Sequence, residues 1–124
     1  MLISWPGHIQ PQVSMSPMAS VDLMPTLTRL AFGKATGFDG RDATPSFFGQ
    51  SLPDVPIFLH SSSNQVTALR LGKWKLHLKT NSQIGLKYFE DPMPLLFNVE
   101  IDPSETRNVA KEHPDVVEKL RALV

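Results

Sequence analysis

The segment Trp74-Lys75-Leu76-His77-Leu78-Lys79 alternates strictly between apolar and polar side chains. A period of two puts Trp74, Leu76 and Leu78 on one face of a β-strand and Lys75, His77 and Lys79 on the other. A helix would scatter those side chains around its axis, so this segment commits the chain to a sheet with one buried face. Strands need partners, and three short runs supply them: Pro56–His60, Val66–Arg70 and Leu95–Val99. Ser61-Ser62-Ser63-Asn64 reads as a polar loop, Leu71-Gly72-Lys73 as a turn, and Asn81–Pro94 as a longer loop ending in Pro-Met-Pro. Leu2–Trp5, closed by the turn signal Pro6-Gly7, reads as one more short buried strand. That strand is either an edge or part of something longer.

Helical patterns flank the strands. Val21, Leu23, Met24, Leu27, Leu30 and Ala31 recur at spacings of three and four, which predicts an amphipathic helix. Ser20 can cap it, Asp22 suits the positive end of the helix dipole, and Gly33 is a natural stop. Pro25 places the regular helix start nearer Asp22 than Met18. Residues 34–54 are rich in Gly and Pro and read as a connection with one helical turn around Ser46–Gly49. A second turn is expected at Thr106–Val109. A last helix opens at Pro114, carrying Val116, Val117, Leu120 and Leu123 at helical spacing. The expected fold is α+β: a small antiparallel sheet of about four strands packed with an N-terminal and a C-terminal helix. At 124 residues it fits a single domain, 1–124.

Twelve basic and twelve acidic side chains cancel, which leaves no electrostatic footprint for nucleic acid or an anionic membrane. No window approaches a membrane span, and the first residues lack the basic start and apolar stretch of a signal peptide. The compartment stays unknown. With no cysteine, disulfides, thiolate nucleophiles and cysteine-ligated zinc are excluded. The four histidines, His8, His60, His77 and His113, show no i, i+4 metal spacing, and neither a phosphate loop nor a nucleophile elbow is present. Asp39-Gly40-Arg41-Asp42 could pass for half a calcium loop, but the later ligands are missing and a turn is the better reading.

Five segments in order resemble the formylglycine-dependent sulfatases. Trp5-Pro6-Gly7-His8 looks like the end of the last strand of their catalytic sheet. Val21-Asp22-Leu23-Met24-Pro25-Thr26-Leu27 is similar to their helix start "S-x-D-L-x-P-T-L". Phe38-Asp39-Gly40-Arg41-Asp42, with Pro45 and Gly49, resembles "L-D-G-x-D-L-x-P-L-L-x-G". Ala68–Leu76 resembles "A-V-R-x-G-x-W-K-L", and Leu96–Ala110 resembles "L-Y-D-L-x-x-D-P-x-E-x-x-N-L-A". The resemblance covers nearly the whole chain and implies the C-terminal portion of an arylsulfatase, with residues 1–33 resembling the last strand and helix of the catalytic domain.

The same resemblance marks what the chain lacks. The family makes its formylglycine from a Cys/Ser-x-Pro-x-Arg signature, and the nearest match, Ser51-Leu52-Pro53-Asp54-Val55, ends in valine. The aspartates and asparagine that hold the family's calcium are expected upstream of the Trp5-Pro6-Gly7 strand. No catalytic residue, metal ligand or cofactor is therefore expected here, and calcium belongs to the full-length enzyme. By analogy with the family's C-terminal subdomain, the loops His60–Asn64 and His77–Asn81 would face substrate, which makes His60, Asn64 and His77 the candidate substrate-binding residues. The resemblance implies a sulfatase fragment that is inactive alone and acts structurally or in substrate recognition. Two alternatives stand beside it: an oligomeric binding or assembly module, and a small hydrolase using His60 or His77. The expected partner is the missing catalytic half or another copy of the chain. Family members are often exported.

Overall fold

The structure is a computed structural model that describes residues 1–61, 63–79 and 93–124. The chain forms two compact units, residues 1–54 and 55–124.

In the first unit a 3₁₀ turn, Ser20–Asp22, leads into helix α1, Leu23–Phe32. Gly33 ends the helix in the left-handed region (φ 75°), its N–H donating to the Arg29 carbonyl. A single helical turn, α2, spans Thr44–Phe47 with Pro45 in its opening positions. Two expectations need correction. Leu2–Trp5 forms no strand. A strand persists only when a neighbour takes up its ladder hydrogen bonds, and among the described residues of this unit there is no other strand. Ser20 does not cap the helix either: the Asp22 carboxylate accepts the Ala19 N–H at 2.9 Å instead.

The side of α1 that is buried is also polar. Asp22 and Thr26 are buried, whereas the apolar stripe Val21, Met24 and Leu27 is more than half exposed. Asp22 accepts the Arg41 N–H on its other oxygen at 3.0 Å, and the Thr26 hydroxyl donates to the Asp22 carbonyl while accepting the Ala43 N–H at 2.9 Å. Arg41 then ties the loop down through Nη2, which donates to the Pro17 carbonyl at 2.7 Å. Two sequence segments 17 or more residues apart thus form one latch, with every buried polar group of Asp22 and Thr26 partnered.

The second unit is a four-stranded antiparallel sheet in the order β1-β2-β3-β4: Ile57–His60, Val66–Leu71, Trp74–His77 and Leu95–Asn98. Pairing sets Leu69 opposite Leu76 and Leu76 opposite Leu96, so these side chains share one face. Helix α3, Pro114–Arg121, lays Val117 and Leu120 on them. Leu71, Trp74, Leu78, Val109, Ala110 and Val116 surround that core. Pro114 at the first helical position, Asp115 in the first turn and Lys119 and Arg121 in the last explain why α3 forms where it does. The expected α+β fold is present: a four-strand antiparallel sheet with an N-terminal and a C-terminal helix.

The expected helical turn at Thr106–Val109 is absent. The side chains of Asp102 and Asn108 compete with helical bonding there. The Asp102 carboxylate accepts the N–H groups of Thr106 and Arg107, and the Asn108 side chain accepts the N–H groups of Leu96 and Ala110. These bonds pin the descent from β4 into α3.

Candidate functional site

The face of the sheet opposite α3 carries Arg70, Lys75 and Phe97 in one row and Ala68, His77 and Leu95 in the next. Lys75 and His77 stand on this face because β3 alternates, and both meet Glu105 from the loop after β4. Glu105 Oε1 lies 2.5 Å from Lys75 Nζ, and Oε2 lies 2.6 Å from His77 Nε2. All three side chains keep about a fifth of their surface, so the cluster is shielded without being sealed. The His77 ring meets Phe97 edge-on, with centroids 5.7 Å apart at 83°.

Glu105 reaches this position from a left-handed backbone, φ 55°. A non-glycine residue there costs on the order of 1 kcal/mol and persists only when its surroundings impose it. The Asp102 turn imposes it: the Glu105 N–H donates to the Asp102 carbonyl at 3.1 Å while the Asp102 carboxylate collects the next two amides. The Arg107 and Thr106 N–H donors hold the Asp102 carboxyl below its ordinary pKa. Burial pushes the Glu105 carboxyl up, but the hydrogen bonds and charges of Lys75 and His77 together outweigh it and leave the pKa lowered. Glu105 is therefore ionised at neutral pH.

Of the three sequence candidates, His77 alone joins this cluster. His60 ends β1 opposite Val66, at a register shift after Leu59, and is exposed. Asn64 is exposed in the β1–β2 turn at φ 59°, its N–H donating to the Ser61 carbonyl at 3.0 Å. The antiparallel order brings all three to the same end of the sheet, but β2 lies between the strand of His60 and that of His77. Asn81, named with the His77 loop, lies outside the described residues. Glu105 was missed as a partner of His77. Its signal was the acid of the Asp102-Pro103-Ser104-Glu105 motif, whose aim across 28 residues only the fold sets.

Among the described residues, no group of three His, Asp or Glu side chains stands together where it could hold a metal ion. Nor is any helix among them long and apolar enough to cross a membrane.

Residues 53–124 match the C-terminal region of aryl-sulfatase. The chain belongs to the sulfatase family. Human arylsulfatase A is 32% identical over 98% of this chain, and the N-acetylgalactosamine-6-O-sulfatase of Bacteroides thetaiotaomicron is 24% identical over 99% of it. The chain spans only 29% and 26% of those two relatives. A solved Bacteroides thetaiotaomicron structure, described with the metabolism of multiple glycosaminoglycans, superposes with a TM-score of 0.59 at 26% identity, covering 82% of this chain and 23% of that one. A second from the same source gives 0.60 at 21% identity, over 94% of this chain and 27% of that one, and shows the same fold. Sulfatases are sulfuric ester hydrolases, and this chain carries their C-terminal portion.

Proposed function

We propose that this chain is catalytically silent alone and completes a sulfatase whose formylglycine, calcium site and sulfate pocket lie in the preceding sequence. One observation carries the reading. The chain aligns almost end to end with arylsulfatase A yet spans 29% of it, and its nearest approach to the formylglycine signature fails at Val55. Without the hydrated aldehyde and its metal, nothing attacks or polarises a sulfate ester. On this reading residues 1–33 resemble the last strand and helix of the catalytic domain. Leu2–Trp5 would then gain its neighbour from that portion, and the apolar stripe of α1 would gain its cover.

The sheet supports the recognition half of the proposal. The β1–β2 turn and the end of β3 gather His60, Asn64 and His77 at one end, the arrangement expected of loops that meet substrate while a rigid sheet holds them.

The test is a chimera in which this chain replaces the matching C-terminal portion of the Bacteroides N-acetylgalactosamine-6-O-sulfatase. The expected results are no sulfate release by the isolated chain with calcium, none by the truncated relative, and turnover by the chimera. Sulfate release by the purified chain itself, lost on His77→Ala or His60→Ala, would overturn the proposal in favour of a small hydrolase. An exposed apolar stripe also fits self-association. A stable homodimer that blocks assembly with the catalytic portion would favour that second reading.

A further inference from the structure

The Lys75–Glu105–His77 cluster holds more structure than an ion pair needs. Lys75 alone neutralises the Glu105 charge through one oxygen, and the other oxygen is given to a histidine. An ionised carboxylate can only accept, so the ring nitrogen facing it, Nε2, carries the hydrogen. In the neutral ring the lone pair is then on Nδ1. Among the described residues Nδ1 has no hydrogen-bond partner, and the side chain retains 18% of its surface. The ring is held from two directions, by Glu105 at Nε2 and by the Phe97 edge contact.

From this geometry we infer that Glu105 is a positioning residue, fixing His77 in its Nε2–H form so that Nδ1 accepts a hydrogen bond from a hydroxyl or amide N–H of a sulfated sugar. The site would read the sugar and leave the sulfate to the catalytic portion, because the Lys75 charge is already taken up by Glu105. The sugar assignment rests on the sulfatase reading above; the tautomer does not.

Two experiments test the parts separately. In the intact chain with ¹⁵N-labelled histidine, NMR at pH 7 should show a His77 Nε2–H proton protected from solvent exchange together with the ¹⁵N shift of an unprotonated Nδ1. Glu105→Ala should lose it, and Glu105→Gln, whose amide oxygen still accepts, should keep it. An unprotected proton in the parent chain overturns the tautomer and with it the inference. In the chimera, N-acetylgalactosamine 6-sulfate offers donors, whereas 4-nitrophenyl sulfate has none. Loss of one neutral hydrogen bond corresponds to a KM rise of about two- to tenfold for the sugar. His77→Gln, which keeps the contact to Glu105 but lacks Nδ1, should show that rise with far less change for the aryl ester, and kcat should move little. His77→Asn, which returns an acceptor near the Nδ1 position, should recover part of the affinity. Equal effects on both esters, or none on either, would reduce the cluster to a structural brace. A chimera that turns over neither ester sinks the proposal that this chain completes a sulfatase, and the sugar with it, while the NMR measurement still decides the tautomer.

Discussion

At φ 55° Glu105 occupies a conformation that glycine would tolerate better, yet glycine would lose the carboxylate that joins Lys75 to His77. Its lowered pKa sets a direction with pH. A carboxyl whose folded pKa lies below its unfolded value adds stability that is complete above the unfolded pKa and lost as pH falls through the folded one. Urea unfolding of the parent chain should therefore weaken on acidification through that window, and Glu105→Gln should flatten that part of the profile. Gly40 makes the other residue-scale case. A Cβ there would stand 2.1 Å from the Val21 carbonyl oxygen, on backbone that cannot swing aside. Gly40→Ala should cost about 1–3 kcal/mol in the first unit, read as a fall in denaturation midpoint. An unchanged midpoint would mean that the latch between α1 and the Asp39–Ala43 loop yields easily.

At the scale of elements, period-two and period-three-to-four patterns locate the strands and helices to within a residue or two, because burial on one face selects those periods. Patterning fails where side chains rewrite local bonding. Thr106–Val109 looks helical until the Asp102 and Asn108 side chains take the amides a helix would use. The Val21–Leu27 stripe looks like a core face, but the Asp22 and Thr26 latch turns the opposite side of α1 inward. Helix α3 closes the core of the second unit with Val117 and Leu120. Leu120 is 1% exposed among Leu69, Leu76 and Leu96, so Leu120→Ala should cost about 2–5 kcal/mol, a large fraction of a small domain's stability. Thermal melts followed by circular dichroism would check it, and a loss under about 1 kcal/mol would show that the site collapses around the cavity.

For the molecule as a whole, the exposed apolar side chains of the first unit carry the argument. Val21 in the 3₁₀ turn and Met24 and Leu27 in α1 are each more than half exposed, and Phe32 at the end of α1 is 78% exposed. Replacing Met24 and Leu27 by glutamine should lower self-association of the isolated chain and also lower assembly with a catalytic portion, while the amide spectrum of residues 55–124 stays the same. Analytical ultracentrifugation reads the first effect, and yield of the active chimera reads the second. No change in either would show that this stripe is ordinary surface.

The sequence by itself determined the α+β class, the four strands, the two main helices and the family, because these depend on local periodicity and on motifs read along the chain. Its strict alternation also placed His77 on the polar face of β3, with Lys75. Only the tertiary structure decided that Glu105 meets His77 and Lys75, that Asp22 serves a distant loop in place of a helix end, and that Leu2–Trp5 stays unpaired. Each of those outcomes depends on which partners lie within reach across the fold, and no local pattern encodes where such partners will lie.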